Sequence, residues 1–299
     1  MRIAPQVRTL PDGRRLHLQH GPIDLIVGAD GSGADRQAGL RAAARRFATI
    51  LDELCGELPL LRRPVDRDDP PQGAVGRTMA DAVEPFAAET FITPMAAVAG
   101  AVADAVLAAM TETAPVSRAY VNNGGDIALH LSPGATFRLG LVDRPDRPNL
   151  FGTASIRADH GVGGVATSGW RGRSFSLGIA DAVTILARTA AQADAAATIV
   201  ANAVDLPGHP AVLRAPACDI QPDSDLGDRL VTRDVGPLRP DEIDQALEHG
   251  LACARRLLDR GLIRAAALHC AGATRALGAL GPLATPSSQA RPVQELAHA

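Results

Sequence analysis

Arg118-Ala119-Tyr120-Val121-Asn122-Asn123-Gly124-Gly125-Asp126-Ile127-Ala128-Leu129 is the stretch on which the fold of this chain turns. Apolar and polar residues alternate through Ser117–Asn122 and again through Asp126–Leu131, the period of strands that bury one face. Asn123-Gly124-Gly125 joins the two runs, and its glycines supply the positive φ that a tight hairpin needs. Paired glycines also let a ligand approach the backbone closely, with Asn123 and Asp126 offering polar contacts. The two readings are compatible, because a turn can also be a ligand platform.

On the N-terminal side, two apolar stretches within Leu16–Ala29 flank His20-Gly21-Pro22 and read as a hairpin. Asp30-Gly31-Ser32-Gly33 breaks the pattern. A helix follows over about Ala34–Leu58, with apolar residues at helical spacing and Arg on the other face. Arg62–Gly76, rich in Pro and Asp, reads as a loop or flap. A short helix is expected over about Arg77–Glu84, stopped by Pro85, and another from Pro94 into Thr111. The Ala/Val-rich run Pro94–Met110 is shorter than a bilayer span and carries Asp104, so it reads as a buried helix.

On the C-terminal side, Thr136–Val142 and Thr153–Ala158 are expected to continue the sheet. Gly164–Ser168, Phe175–Leu177 and Ala182–Leu186 read as further strands. Ala190–Val204 is helical, ending at Asp205-Leu206-Pro207-Gly208. Pro240–Leu262 reads as a long helix with Pro240 just inside its start. Arg264–Cys270 is a strand, and the polar Thr285–Ala299 a disordered tail. No linker divides the chain, so one α+β domain with two interlocked lobes is expected.

Composition narrows the chemistry. Hydrophobic residues make up 46% and charged residues 21% of 299, a globular balance. Net charge is −3, which does not suggest a surface for nucleic acid or an anionic membrane. All 30 basic residues are Arg, so Schiff-base lysine chemistry and a Walker-type phosphate loop are excluded. Cys55, Cys218, Cys253 and Cys270 are scattered, as buried thiols in a reducing compartment would be. The polar start of the chain has no apolar signal region, and the expected location is cytoplasmic. The eight His show no metal-ligand spacing, and His269-Cys270 are strand neighbours that point to opposite faces, against a Cys hydrolase.

Two further motifs are candidates for chemistry. Gly164-Val165-Ala166-Thr167-Ser168-Gly169-Trp170 ends an apolar strand in a natural turn, yet it holds the chain's only Trp. There Trp170 can stack on a ring, and Arg171 and Arg173 can pair with phosphate or simply be solvated. In Asp194-Ala195-Ala196-Ala197-Thr198 a carboxylate and a hydroxyl lie four apart on one helical face. Both are hard oxygen ligands suited to Mg²⁺ shared with a phosphate. The plainer reading makes Asp194 a first-turn carboxylate favoured by the helix dipole and Thr198 a satisfied helix residue.

In this order the motifs resemble the ApbE-like superfamily, the FAD:protein FMN transferases. The matching stretches are Val98-Ala99-Gly100-Ala101-Val102-Ala103-Asp104, Val121–Ile127, Ala166–Gly169 and Asp194–Thr198, covering about Thr93–Val204. Ile92–Gly100 also resembles a shorter branch of that superfamily. The resemblance implies a T-fold-like domain over 1–284, a mixed or antiparallel sheet packed by helices. It further implies Asp194 and Thr198 as Mg²⁺ ligands and FAD lying across the glycine turns. Asn123, Gly124, Gly125, Asp126, Thr167, Ser168, Gly169 and Trp170 become the flavin-nucleotide contacts. Transferases move FMN from FAD to a Thr or Ser of a protein acceptor and release AMP. The family's signature Lys is Ala99 here, and Arg171–Asp181 replaces a His- and Pro-containing segment. No catalytic residue is assigned, and four outcomes stay open: transfer, FAD hydrolysis, non-enzymatic flavin or nucleotide binding, and an interaction protein that keeps only the fold. Homodimerisation is expected from the Ala-rich helical surfaces.

Overall fold

A computed structural model describes residues 4–142 and 150–278. The expected tail, Thr285–Ala299, and the boundary at 284 lie outside the described residues. The elements are mixed helices and antiparallel strands, an α+β chain as expected. They form two compact units.

The first unit holds residues 1–137, 157–166 and 187–195. It opens with β1 (Gln6–Thr9), β2 (Arg15–His20) and β3 (Ile23–Asp30), followed by α1 (Gly33–Gly56), α2 (Leu58–Leu61), α3 (Ala74–Ala87) and α4 (Val98–Thr113). Strands β4 (Arg118–Asn123) and β5 (Asp126–Leu131) come next. The sheet order is β1-β2-β3-β4-β5, with β8 (Gly164–Ser168) beside β5 through Ile127↔Val165 and Ala128↔Gly164. Along β4, Ala119, Val121 and Asn123 are buried while Arg118, Tyr120 and Asn122 are half-buried, so the alternation read from the sequence holds. Leu18, Leu25 and Val27 belong to the same buried face, against which α1 and α4 pack.

Helix α1 starts where its sequence says it should, the Ser32 hydroxyl accepting the Asp35 N–H at 3.2 Å. Its buried stripe, Leu40, Ala43, Phe47, Ile50 and Leu54, repeats every three or four residues. Burying a side chain such as Phe47 completely contributes about 1.5–3 kcal/mol. Helix α3 begins earlier than expected because Glu57 accepts the N–H groups of Gln72 and Gly73 at 2.5 and 2.9 Å. It also runs past Pro85, which falls in its last turn and interrupts only the end of the ladder. Pro94–Ala97 forms a 3-10 turn leading into α4. Together they give 20 residues, long and apolar enough to span a bilayer, not shorter as the sequence reading held. Ala101, Val102, Ala103, Val106 and Met110 are nevertheless buried within the unit.

Strands β6 (Thr136–Val142) and β7 (Leu150–Arg157) pair with each other as a separate ribbon and do not continue the main sheet.

The second unit holds 138–156, 167–186 and residues from 196 onward. Its strands β9 (Ala182–Ala187) and β12 (Ala265–Cys270) pair antiparallel, and β13 (Ala273–Gly278) adds to β12. Between them in sequence lie α5 (Ala190–Ala203), β10 (Val212–Pro216), α6 (Ala217–Ile220), β11 (Leu230–Val235) and α7 (Pro240–Asp259). β10 and β11 form their own ribbon. Helix α5 starts in the first unit and ends in the second. Ala190, Ala191, Ala193, Ala195, Ala196, Ala197, Val200 and Ala201 are all fully buried, which accounts for its run of small residues. The expected strand Phe175–Leu177 is absent. Its backbone bonds elsewhere: Leu177 N–H donates to the Asn202 side chain at 2.9 Å, and Ser176 C=O accepts from Thr232 at 2.8 Å.

Candidate functional site

In the first unit the β4–β5 hairpin meets the start of α4. Gly124 and Gly125 adopt φ of +67° and +112°, so both are required by the turn. The Asn122 side chain accepts the Gly125 N–H at 2.9 Å and fixes the turn's shape. Asn123 is buried, and its amide donates to the Ala99 carbonyl at 3.1 Å. It therefore ties the hairpin to the first turn of α4. Asp126 is directly opposite Asn123 in the ladder and shares its face.

Asp194, from α5, comes to the same place. Its carboxylate accepts the Gly100 N–H at 3.0 Å, filling the role of an N-cap that no side chain of α4's own entry supplies. In return Asp104, from α4, accepts the Ala190 and Ala191 N–H groups at 3.0 and 2.9 Å and caps α5. Each helix start is held by an aspartate of the other helix. Close approach makes this possible: a Cβ on Gly100 would lie 2.3 Å from the Ala190 carbonyl oxygen, and one on Gly164 would lie 2.2 Å from the Ala190 nitrogen.

The electrostatics are lopsided. Burial and then the charge of Asp126 push the Asp194 carboxyl well above the usual carboxylate range. The N–H groups of Gly100 and Ala99 oppose this, and Asp104 adds to the push. Asp194 keeps part of its surface exposed. Burial likewise pushes Asp104 up to about 6, against the N–H groups that it accepts. The groups that act most on Asp194 are thus two further carboxylates and two backbone donors. A divalent cation suits such a setting. Thr198 lies one helical turn beyond Asp194 on α5. Among the described residues, no three His, Cys, Asp or Glu side chains converge as a closed metal cage. One carboxylate and one hydroxyl still fit Mg²⁺, which completes its shell with phosphate and water.

In the second unit Thr167, Ser168, Gly169 and Trp170 leave β8 and turn onto the segment before β9. The Thr167 hydroxyl bonds that of Thr184 at 2.9 Å. Gly169 is explained by its own chain, since a Cβ there would lie 2.4 Å from the Asp181 carbonyl oxygen. Trp170 is half-buried, and the Arg171 guanidinium stacks on its ring at 4.1 Å. Arg171 is held in turn by Asp181 at 2.6 Å. Asp181 also accepts the N–H of Ala271 at 2.6 Å, steadying a non-glycine residue at φ +46° in the β12–β13 turn. Arg171, read as a phosphate partner or solvated turn, is therefore committed to Asp181 and Trp170, while Arg173 is exposed. Arg171→Ala is expected to shift the fluorescence of Trp170 to the red and to destabilise the protein by about 1–2 kcal/mol. An unchanged emission spectrum and urea midpoint would contradict this stack.

His269 and Cys270 separate as expected. His269 bonds Thr274 at 2.7 Å, while Cys270 Sγ points to the Ile179 carbonyl. Burial, with Asp181 nearby, pushes the Cys270 thiol up to about 12, so it stays protonated.

The sequence reading missed Asp104 as a partner of α5, and Asp181 as the anchor of Arg171. Asp104 left a signal, a carboxylate inside the apolar stretch Val98–Met110 whose charge needs donors. Asp181 left none.

Comparison with known proteins bears on the whole chain. A family model described as AbpE bacteria matches residues 7–276. A UPF0280 protein of Methanosphaerula palustris is 32% identical over 185 residues, 57% of this chain and 71% of that protein. The UPF0280 protein of Methanopyrus kandleri is 38% identical over 128 residues, where the match spans 43% of this chain and 48% of the relative. The chain thus spans about half the length of the Methanopyrus kandleri relative. A solved flavin transferase ApbE from Vibrio cholerae covers 94% of this chain and 98% of its own at 12% identity and a TM-score of 0.39, a likeness too loose to carry an argument. The match over 7–276 is what decides: the chain belongs to the AbpE bacteria family, as the order of its motifs led us to expect of an ApbE-like protein.

Proposed function

We propose that this protein handles a flavin nucleotide with the help of Mg²⁺, and that its most specific activity is on the pyrophosphate of FAD. The carrying observation is the Asp194 carboxylate, which accepts the Gly100 N–H at 3.0 Å and feels the charges of Asp126 and Asp104. Asp194, with Thr198 one turn on in the same helix, would hold the metal, while Asn123–Asp126 of the first unit would contact the nucleotide. Bound there, Mg²⁺ offsets negative charge on the pyrophosphate.

The chain's own residues orient the ligand. The Gly124-Gly125 turn presents backbone without side chains, and a Cβ on Gly125 would meet nothing within 4 Å. Asn123 fixes that turn to the start of α4, so hairpin and carboxylate move as one. Two reactions share this arrangement. In transfer, a Ser or Thr hydroxyl of a protein acceptor attacks the FMN-side phosphorus. The P–O–P bond then breaks, AMP leaves, and the hydroxyl proton passes to solvent. In hydrolysis, water replaces the hydroxyl and FMN and AMP are released. Ala99, where the family has Lys, favours a second reading: a flavin- or nucleotide-binding accessory protein without chemistry.

Incubation of the purified protein with FAD and MgCl₂ separates these readings. AMP in the chromatogram is expected; FAD bound without AMP selects the accessory role, and absence of binding rejects both.

A further inference from the structure

We propose that Asp104 is a positioning residue for the metal-bearing stretch of α5, fixing where the Asp194 carboxylate stands. This rests on the reading of Asp194 as a metal ligand. Both oxygens of Asp104 are used, one on the Ala190 N–H at 3.0 Å and one on the Ala191 N–H at 2.9 Å. The first turn of α5 is thereby clamped one turn before Asp194.

The clamp has little slack. Gly100 and Gly164 hold the Ala190 backbone closely enough that neither position has room for a Cβ. Thr189 adds a local cap, its hydroxyl accepting the Gln192 N–H at 3.2 Å. Asp194 then returns the bond to Gly100, closing a loop of two carboxylates across two helix starts. Release of Asp104 frees α5's first turn, and with it the orientation of Asp194. Mg²⁺ demands near-ideal octahedral geometry, so a ligand displaced by a few tenths of an ångström is a poor one. Outer groups that orient a metal ligand typically alter affinity 10–100-fold when removed.

The test uses the full chain and MnCl₂ as the probe, with bound metal measured from the loss of the free Mn²⁺ electron paramagnetic resonance signal and MgCl₂ as competitor. Wild type is expected to bind Mn²⁺, and Asp194→Asn to lose it. Asp104→Asn and Asp104→Glu are expected to bind 10–100-fold more weakly while still unfolding cooperatively. The Glu variant keeps the charge and moves the carboxylate, so loss in both variants assigns the effect to position. If both bind Mn²⁺ like wild type, or Glu alone does, the positioning role is overturned while the metal reading stands. Wild type that binds no Mn²⁺ overturns both. If neither Asp104 variant folds, Asp104 is a structural residue and the proposal fails.

Discussion

Gly100→Ala is expected to lower the thermal midpoint by roughly 6–12 °C, a cost of about 3 kcal/mol. The sign is the informative part. Within a helix, Gly to Ala ordinarily stabilises by about 0.5–1 kcal/mol through lost unfolded-state freedom. Here the new Cβ would stand 2.3 Å from the Ala190 carbonyl oxygen, 2.4 Å from its carbon and 2.6 Å from the Ala191 nitrogen. These are backbone atoms at the capped start of α5, and they cannot rotate away as a side chain could. Accommodation separates the two helix starts and breaks the bonds of Asp104 and Asp194. A melting curve that rises with Gly100→Ala would show that α4 and α5 do not approach in this way.

Asp194→Asn is expected to divide stability from function. The ionised carboxylate is disfavoured by burial and by Asp126, so its folded pKa lies above its unfolded one. Such a group stabilises fully only below the unfolded pKa, and that contribution is lost as pH rises through the folded pKa. At neutral pH a neutral amide that still accepts the Gly100 N–H relieves this penalty. Without metal, Asp194→Asn should therefore melt at or slightly above wild type. With Mg²⁺ the order should reverse, since wild type gains from binding and the variant does not. Asp194→Ala, which also removes the cap, should melt about 1 kcal/mol below Asn. A Mg²⁺-induced shift equal in wild type and Asp194→Asn would reject the ligand role.

Much of this was legible because local pattern and tertiary role agree. The alternation of β4 is strict, and the turn between β4 and β5 needs glycines at two positive-φ positions. The alanines of α5 read as a helix, and Ala190, Ala191, Ala193, Ala195, Ala196, Ala197 and Ala201 prove buried. What escaped depended on remote partners. The early start of α3 rests on Glu57, and the loss of a strand at Phe175–Leu177 rests on Asn202 and Thr232. Strands β1, β10, β11 and β13 also went unread; β10 and β11 are a half-exposed ribbon whose apolar Leu213 and Leu230 face solvent, blurring the period.

The candidate site shows the same division. Sequence order pointed to Asn123–Asp126, Thr167–Trp170, Asp194 and Thr198, but the residues have more than one task. Asn123 and Asp194 hold the start of α4, and Gly169 makes room for Asp181. A residue can be required by the fold and still serve a ligand. The exchange between Asp104 and Asp194 joins residues 90 apart in the chain, with no local signature.

The central claim is that the Asp194 carboxylate, set by α4 and α5, receives the metal that accompanies a flavin pyrophosphate. A crystal structure of the protein soaked with FAD and MgCl₂ tests it most directly. The account predicts octahedral density about 2.0–2.1 Å from an Asp194 oxygen and the Thr198 hydroxyl, shared with pyrophosphate oxygens. FAD bound with the metal elsewhere, or with Asp194 still engaged only by the start of α4, would contradict it.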